Sequence, residues 1–304
     1  EFLSGRFHSH RHRIFYSLNP AWVFLTPWLI GMSIFLAIPM LSSLFLSFTN
    51  YSFVGLPELV GIRNYVNLFT NDSKFLSALR VTSVYVLIST PIVLSFALAI
   101  AMILNNKMKG LGLFRAIYYL PSLIGGSVAV AILWQYMFGE SGSFNHFMSH
   151  FGFHFPSWVG TPKYALWSII FLKIWQFGSP MVIFLSGLKN IPADYYEAAS
   201  IDGANGVQKF LNITLPMLSP IIFFNTIMQI IQSFQAFTPS YIISNGTGGP
   251  VNSLLFYTLY IYQTAFSNFQ MGYASAQAWI LLILIAICTA VGFGISKKVV
   301  FYND

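Results

Sequence analysis

The stretch Glu197-Ala198-Ala199-Ser200-Ile201-Asp202-Gly203 is followed, ten residues after its glycine, by Ile213-Thr214-Leu215-Pro216. Both stretches lie in a short polar gap between two long apolar segments, residues 164–188 and 218–243. A polar connection between apolar segments of that length is typical of a loop at the surface of a membrane. The chain on either side of the gap continues the same alternation of long apolar and short polar segments.

The composition is that of an integral membrane protein. Apolar residues make up 56% of the 304 residues and charged residues only 8%, whereas a soluble domain carries roughly 25% charged residues. So little polar surface cannot enclose a soluble globule of this length, but it suits a bundle of membrane-spanning helices. The single cysteine, Cys288, lies in an apolar segment and excludes an intrachain disulfide.

Six apolar segments are each about 20 residues or longer, which is the length that an α-helix needs to cross a bilayer. They are residues 22–48, 75–104, 116–138, 164–188, 218–243 and 273–295. The first is too long for the core of a signal peptide and has no small-residue cleavage site, so we expect it to be retained. The sequence thus predicts an all-α integral membrane protein with six transmembrane helices, which we number one to six.

Lysine and arginine are distributed unequally between the two sets of connections. One set, taken with both termini, holds ten of them, and the other holds three. Because cytoplasmic segments carry the excess of these residues, we expect both termini and the polar gap to be cytoplasmic. The ten are Arg6, Arg11, Arg13, Lys107, Lys109, Arg115, Lys189, Lys209, Lys297 and Lys298, and the three are Arg63, Lys74 and Lys163.

The domain organisation predicted from this pattern is simple. Residues 1–18 form a basic cytoplasmic tail that can rest on anionic lipid headgroups, and residues 19–304 form a single transmembrane domain. The non-cytoplasmic connections, residues 49–74, 139–163 and 244–272, are too short to be domains of their own. Most of the net charge of +7 belongs to this topology signal, so it does not indicate a nucleic-acid partner.

The polar gap carries the signals of two short helices. Asp194, with Glu197 three residues later, predicts a capping box, and Gly203 fits the position after a helix where a positive φ is needed. A second short helix over residues 206–212 leads to Pro216 at the start of span five. Local chemistry alone leaves two interpretations open: an ordinary capped helix at the membrane surface, or an element on which another protein docks.

The spacing of the two stretches resembles the EAA loop of ABC-importer permeases, EAA-x3-G-x9-I-x-LP, without insertion or gap. In that family the loop, here about residues 189–216, is the cytoplasmic coupling helix region that docks into an ATPase subunit. The resemblance implies the same role for the residues at the motif positions, where small alanines let another surface approach closely. These residues are Glu197, Ala198, Ala199, Asp202, Gly203, Leu215 and Pro216.

The resemblance covers essentially the whole chain and is closest in kind to the sugar-permease branch, similar to the maltose and glycerol-phosphate permeases. The matching stretches are Pro27-Trp28-Leu29-Ile30-Gly31, Leu46-Ser47-Phe48-Thr49-Asn50, Gly61-Ile62-Arg63-Asn64-Tyr65, Leu120-Pro121 and Gly249-Pro250. This likeness implies a type I ABC importer fold in a bacterial inner membrane. It also implies four kinds of partner: a second and different permease chain, two ATPase subunits, an extracytoplasmic solute-binding protein and a saccharide substrate.

The sequence has no nucleotide-binding loop of its own. The pattern GxxxxGK[ST] is absent, and no Gly-Lys dipeptide occurs at all. We therefore expect no cofactor on this chain, with ATP and Mg²⁺ bound by the partner ATPase subunits. On this reasoning the chain is a transporter subunit and not an enzyme.

Polar side chains in two spans indicate a substrate pathway, because polar groups in a membrane usually face a bundle interior or a water-filled path. Asn225, Gln229 and Gln232 share a helix face in span five, and Lys173 and Gln176 share one in span four. In the resembled sugar permeases these two spans line the pathway. The full predicted set is Lys173, Trp175, Gln176, Ser179, Asn225, Gln229, Gln232, Ser233 and Gln235. The alternative is that the amides join helices, at about 0.6–2 kcal/mol per bond.

Lys173 is unusual because a cation near the middle of a span costs at least about 2.5–3.5 kcal/mol unless it is paired or hydrated. No acidic residue lies within any of the six spans. A carboxylate on the second permease, a water-filled cavity or snorkelling to the interface would each stabilise it. A sharper hypothesis is an acidic saccharide substrate of the alginate type, with Arg80 in span two adding to the positive field.

Two other classes of function stand as alternatives. An ion-coupled secondary transporter of small polar solutes would use a mid-membrane Asp or Glu, and the spans contain none. An integral membrane enzyme would need a catalytic constellation, of which the sequence gives no sign. His146, His150 and His154 recur every four residues as metal ligands on one helix face would, but Gly152 and Pro156 interrupt that face. We therefore expect no metal site.

Overall fold

The computed structural model describes residues 20–53, 55–106 and 110–301. These residues are predominantly helical, and strand-like pairing among them is limited to an isolated antiparallel bridge between Thr49 and Leu59. The predicted basic tail at residues 1–18 lies outside the described residues, as do five of the cations assigned to the cytoplasm: Arg6, Arg11, Arg13, Lys107 and Lys109.

The described part of the chain forms sixteen α-helices, joined in places by π-helical or 3₁₀ turns. The π-helical segments are Ser33–Ala37, Phe210–Thr214 and Gln263–Ser267, and the 3₁₀ turn is Pro250–Asn252. The α-helices are α1 (Pro20–Met32), α2 (Ile38–Ser47), α3 (Arg63–Thr70), α4 (Ser73–Leu104), α5 (Leu111–Ile124), α6 (Val128–Met137), α7 (Ser143–Ser149), α8 (Pro162–Trp175), α9 (Gly178–Lys189), α10 (Ala193–Ile201), α11 (Gly206–Lys209), α12 (Leu215–Met217), α13 (Ser219–Phe234), α14 (Thr238–Ile243), α15 (Tyr257–Tyr262) and α16 (Met271–Val299).

The six predicted spans are present, but they are of two kinds. Spans one, two and six are long apolar helices at Trp22–Ser47, Ser73–Leu104 and Met271–Lys298. Spans three, four and five are helix pairs bent at a short break, by 97° after Ile124, 42° after Trp175 and 67° after Met217. Apolar length alone places the spans along the chain, but it does not reveal these bends.

The bend in span four has a covalent cause. Pro180 has no N–H, so it cannot donate to the carbonyl of Gln176 four residues earlier. The hydroxyl of Ser122 on span three donates to that freed carbonyl over 3.1 Å and accepts from the Ser179 amide over 2.9 Å. One serine therefore pairs two backbone groups that the break leaves open, as a membrane interior requires.

The bend in span five follows the same rule. Pro220 cannot donate to the carbonyl of Pro216, and the Ser219 hydroxyl donates to that carbonyl instead, over 2.7 Å. In span three the break falls at Gly125 and Gly126, after which Ser127 starts α6 by accepting from the Val130 amide over 3.3 Å. Each broken span therefore has a hydroxyl at its break that pairs an open backbone group.

Helix α4 is the central helix of the bundle. Near its Leu104 end, Ala97 and Ala101 belong to one buried cluster with Phe184, Leu188 and Leu218, so that spans two, four and five meet there. Near its Ser73 end, a second buried cluster includes Phe75, Ala78, Tyr85, Ile169, Phe256 and Tyr257. Small alanines on α4 permit the close approach that packing between membrane helices needs.

Span one lies at the edge of the bundle. Its apolar window has no buried residue, and α2 rests on α16, where the Trp279 indole donates to the Ser43 hydroxyl over 3.1 Å. Just after α2 ends, the chain approaches the first turn of α16 so closely that a Cβ on Gly272 would collide with the carbonyl oxygen of Thr49. The exposed apolar surface of span one is available to lipid or to another membrane chain.

Replacing Gly178 with alanine tests the close packing of spans three and four at their breaks. A Cβ on Gly178 would collide with the Tyr118 carbonyl oxygen and with the Ser122 hydroxyl oxygen. We expect Gly178→Ala to lower the free energy of unfolding by about 1–3 kcal/mol, because a packed interior accepts an added atom only by moving. The measurement is the thermal unfolding midpoint of the detergent-purified protein.

Gly294→Ala is the matched control, because a Cβ on this glycine of α16 would meet nothing within 4 Å. Its midpoint should be unchanged or slightly higher, since alanine is favoured over glycine in a helix by about 1 kcal/mol. Equal midpoints for the two variants would contradict the packing argument.

Candidate functional site

The polar gap between spans four and five folds into two short arms. The first arm, α10, begins after Pro192, which is the N-cap residue, and no side chain caps it. The capping box predicted for Asp194 and Glu197 is therefore wrong, because Pro192 sets the extended conformation at the cap and places Asp194 inside the first turn. A capping box does occur at the second arm, where Asn205 and Gln208 exchange side-chain-to-backbone bonds of 2.8 and 2.9 Å.

Gly203 ends the first arm as predicted. Its φ is +76°, and its amide donates to the Ser200 carbonyl over 3.2 Å. The next amide, of Ala204, donates to the Ala199 carbonyl over 2.9 Å, which completes a Schellman motif. A Cβ on Gly203 would meet nothing within 4 Å, so the positive φ alone explains the need for glycine.

The second arm is the first helix of the bent pair that forms span five, and the 67° bend follows it after Met217. Helix α11 continues through the π-helical segment to α12, which contains Leu215 and Pro216, instead of ending near residue 212 as the sequence suggests. Two bonds join the arms: the Tyr196 hydroxyl lies 2.9 Å from the Thr214 hydroxyl oxygen, and the Lys209 ammonium donates to Ser200 over 2.6 Å. The gap therefore forms a closed unit that is continuous with span five.

The closed loop presents side chains that its own fold does not use. None of the residues of α10 is buried, and Ile201 is 88% exposed and Val207 67% exposed. Glu197 and Asp202 are also exposed and form no ion pair with another described residue. Apolar and acidic groups exposed together on a rigid loop have the composition of a docking surface.

The second candidate site is a cavity of about 200 Å³ beside the breaks of spans three and four. Lys173, Gln176 and Gln232 are the predicted pathway residues that line it, together with Tyr85, Gly125 and Gly126. The Gln176 amide donates to the Gly125 carbonyl over 3.0 Å, which fixes one bend against the other. A Cβ on Gly125 would collide with the Gln176 side chain.

Lys173 is the one cation in the lining of this cavity. Its ammonium has no hydrogen bond or ion pair with any described residue. Arg80, which was expected to add to its field, is exposed and does not line the cavity. The cavity is therefore a partly enclosed positive site with two amide side chains and a tyrosine at its wall.

The predicted polar face of span five divides into two groups: Gln232 lines the cavity, whereas the others lie inside the bundle. Asn225, Gln229 and Ser233 are buried at four-residue spacing and face other helices of the chain, and the Asn225 amide donates to the Pro180 carbonyl over 3.5 Å. Gln229 Oε1 and Ser233 Oγ have no partner among the described residues. Asn225 therefore fits the alternative interpretation, in which amides join helices, whereas Gln229 and Ser233 are buried among helices without such a bond.

Three further predicted residues lie away from the cavity lining. Ser179 and Gln235 are exposed, and the Trp175 ring lies 5.9 Å from that of Trp134. Sequence reasoning missed Tyr85, Gly125 and Gly126. The Gly-Gly pair inside an apolar span was a usable signal, whereas nothing in the sequence separates Tyr85 from the other aromatic residues of its span.

The histidines of the 139–163 connection do not come together around a metal. His146 and His150 are neighbours, with the His150 Nδ1 atom 2.9 Å from the His146 carbonyl oxygen. Gly152, with φ of +79°, turns the chain away before His154. No group of three or more metal-binding side chains occurs within residues 20–53, 55–106 and 110–301.

Comparison with known proteins gives a family match over most of the chain. The family described as "Binding-protein-dependent transport system inner membrane component" matches residues 68–300. The chain is 51% identical to the probable ABC transporter permease protein YesP of Bacillus subtilis (strain 168), over 93% of the chain and 92% of YesP. It is 35% identical to the lactose transport system permease protein LacF of Rhizobium radiobacter, over 93% of the chain and 96% of LacF.

The fold is shared with a solved transporter. A chain of a bacterial ABC transporter involved in the import of the acidic polysaccharide alginate superposes with a TM-score of 0.78, over 95% of this chain and 99% of that chain. The sequence identity is 19%, so this likeness is one of fold. It agrees with the predicted type I importer architecture.

Paired serine substitutions test the polar groups at the helix interfaces. Ser122→Ala removes the hydroxyl that pairs the Gln176 carbonyl and the Ser179 amide, so we expect unfolding to be easier by about 1–3 kcal/mol. Ser233→Ala removes a buried hydroxyl that has no partner, so we expect stability to be unchanged or higher by up to about 1 kcal/mol. The thermal unfolding midpoint should therefore fall for Ser122→Ala and stay at the wild-type value or rise for Ser233→Ala, and a fall of equal size in both would contradict this account.

Proposed function

This chain belongs to the family of binding-protein-dependent transport system inner membrane components, and we propose that it forms part of the path by which a saccharide crosses the membrane. It is a permease subunit of an ABC importer and works with a binding protein. The proposed substrate class is oligosaccharides, which is supported by relatives whose names specify lactose, multiple sugars and arabinooligosaccharides. The observation that carries the proposal is the rigid, exposed loop at the base of span five.

We place the docking site for an ATPase subunit on that loop, at Glu197, Ala198, Ala199, Asp202, Gly203, Leu215 and Pro216. The exposed acidic and apolar side chains of α10 supply groups for a partner surface, and the alanines let its backbone approach closely. The proposed assembly contains a second, different permease chain and two ATPase subunits, which bind ATP and Mg²⁺. In this assembly the present chain binds no nucleotide, its loop faces the cytoplasm, and both of its termini lie on that side.

Coupling would follow from the rigidity of the loop. The Tyr196–Thr214 and Lys209–Ser200 bonds join its arms, so a force on α10 is passed directly to α12. Beyond α12 the chain bends by 67° into α13, which carries Gln232 to the Lys173 cavity. Closure of the ATPase pair would therefore move the cavity wall through the bends in spans four and five. Packed helices respond to such forces by shifting between discrete arrangements.

The substrate path is proposed to include Lys173, Gln176 and Gln232, to which Tyr85 is added by position. Amide groups both donate and accept hydrogen bonds, as sugar hydroxyls require. Lys173 has no counter-ion in the described chain, so we further propose that the saccharide carries a carboxylate that pairs with it. A secondary transporter is disfavoured because the spans contain no acidic residue for ion coupling, and family membership disfavours a membrane enzyme.

Gly203→Asp tests the docking role of the loop. Aspartate must adopt a positive φ, which is a minor cost of about 1–2 kcal/mol for this residue, and it adds a charge to the proposed docking surface. In the complete transporter, co-purified from membranes with its ATPase subunits, we expect loss of uptake and of ATPase stimulation by loaded binding protein. Membrane content of the variant should stay near wild type.

Gly203→Asn is the matched control, because asparagine has nearly the same shape, tolerates a positive φ and adds no charge. It should keep most of the uptake activity. Normal uptake by the aspartate variant would contradict docking at this surface, and failure of any ATPase subunit to co-purify in several mild detergents would count against the proposed assembly.

Lys173→Met tests the charge of the substrate. If a carboxylate of the saccharide pairs with this ammonium, uptake of an acidic oligosaccharide should fall at least tenfold, which corresponds to about 1.4 kcal/mol of lost interaction. Uptake of a neutral oligosaccharide by the same variant should not fall. Lys163→Met is the control, because Lys163 lies at the start of α8, away from the cavity lining. Equal uptake of both sugars by Lys173→Met would remove the acidic substrate and leave Lys173 a structural role.

A further inference from the structure

A second, larger cavity lies near the beginning of span two. Its volume is about 660 Å³, and most of its lining is polar. Most of the lining residues carry amides, aromatic hydroxyls or charged groups, and they come from the 49–74 connection, α15 and the start of α16. Those that matter here are Asn67, Asn71, Asp72, Arg63, Lys74 and Tyr260.

This cavity and the loop of α10 lie at opposite ends of span two. Helix α4 has 32 residues and extends roughly 48 Å at about 1.5 Å per residue. Its Leu104 end packs with Leu188 and Leu218, which flank the loop, whereas Asp72 caps the other end. A surface at the Asp72 end therefore faces the compartment opposite to the ATPase subunits.

The carboxylate at the floor of the cavity is fully engaged. Asp72 Oδ1 accepts from the Phe75 amide over 2.9 Å, and Oδ2 accepts from the hydroxyls of Tyr260 and Tyr273 over 2.7 and 2.8 Å. Burial and the neighbouring Asp72 raise the pKa of Tyr260, so its hydroxyl keeps its proton and remains a donor at neutral pH. Asp72 therefore holds α15 and span six against span two, and both of its oxygens bond to groups other than the cations at the rim.

The rim of the cavity is positively charged. Arg63 and Lys74 are exposed, and neither side chain makes a hydrogen bond or ion pair with another described residue. Asn67 and Asn71 lie between them in sequence, and the Asn71 amide donates to the Asn67 side chain over 3.4 Å. Two unpaired cations with amide donors nearby form a site that suits carboxylates.

The cavity is separated from the proposed saccharide path. Asp72 and Tyr85 are thirteen positions apart on span two, which is roughly 20 Å along the helix. The buried rings of Phe75, Phe256 and Tyr257 fill the cluster between them. A ligand in this cavity would not reach Lys173, so the site suits a surface contact better than a station on the substrate path.

We propose that this cavity is a docking site for an acidic segment of the solute-binding protein, with Arg63 and Lys74 pairing its carboxylates. The inference rests on the proposed function, in which a binding protein delivers saccharide from the side opposite the ATPase subunits. Exposed complementary charges at such a contact raise the association rate and are sensitive to salt. The cavity then determines how readily the loaded binding protein engages the transporter, without taking part in chemistry or in passage of the sugar.

The test is a double charge reversal, Arg63→Glu with Lys74→Glu, in the complete transporter reconstituted in lipid. Both residues lie in the first turn of a helix, α3 and α4, where a negative side chain is favourable, so the reversal should not impair folding. ATPase activity is measured against the concentration of the loaded binding protein that stimulates wild type. We expect the half-saturating concentration to rise about tenfold or more, with the maximal rate unchanged, and its dependence on salt to become weaker or reversed.

Two further variants make the result specific. Arg63→Gln with Lys74→Gln should give a smaller rise in the half-saturating concentration than the reversal, because it removes attraction without adding repulsion. Lys163→Glu reverses a cation that lies away from this cavity, with its ammonium 5.6 Å from the Tyr164 ring, and should leave the half-saturating concentration near wild type. An equal rise for Lys163→Glu would assign the effect to the general field and overturn the site.

The remaining outcomes are distinguishable. An unchanged half-saturating concentration in the double reversal would overturn the docking proposal and leave the importer function intact. A changed dependence on saccharide concentration at saturating binding protein, with docking unaffected, would mean that the cavity binds sugar and would equally overturn the proposal. If no binding protein stimulates the wild-type transporter, the proposed function fails first, and the comparison of variants is then made by direct binding of the binding protein to the lipid-reconstituted chain, where an undiminished affinity would reject the site.

Discussion

The need to pair every backbone polar group within a membrane governs this structure. Proline at positions 180 and 220 opens the helix ladder in spans four and five, and in hydrocarbon each open group would cost several kcal/mol. The hydroxyls of Ser122 and Ser219 close the two gaps. Because Ser122 belongs to span three, the repair in span four also fixes which helices are neighbours. The bends are therefore parts of the packing and not defects in it.

The same bends decide where polar side chains meet. The Gly125 carbonyl at the bend of span three accepts from Gln176 at the bend of span four, and the resulting cleft is the cavity that Lys173 lines. Straight helices would present their side chains to one another along their whole length and leave no such space. Span two, which is one uninterrupted helix of 32 residues, separates this cavity from the polar site around Asp72, and its other end packs against the residues that flank the loop of α10. Helix α4 thus runs past three separate surfaces: the Asp72 site, the Lys173 cavity and the loop of α10.

Local signals determined which features could be predicted from the sequence. The six spans depend on apolar length, and Gly203 depends on a single backbone angle, so both were predicted and confirmed. The N-cap of α10 was predicted wrongly, because Pro192 takes the cap position and Asp194 lies in the first turn. The capping box occurs instead at α11, between Asn205 and Gln208. Gln229 is buried among helices, whereas Gln232 lines the cavity. That difference depends on which helices surround span five, and a single sequence does not contain that information.

The positive charge of Lys173 has no compensating group within the described chain. A cation in a span costs about 2.5–3.5 kcal/mol or more, and buried polar groups elsewhere in this bundle are either paired or neutral. Asp72, which caps span two, is fully engaged and lies thirteen positions, or roughly 20 Å along that helix, from Tyr85 at the cavity. No other described side chain compensates the ammonium, so the compensating group must come from outside the chain, as water, as a carboxylate of a partner permease or as the transported solute. Since water in a partly enclosed cavity still leaves much of the charge unpaired, an anionic solute would be stabilised beside Lys173, and the strength of that pairing would limit how quickly such a solute could move on.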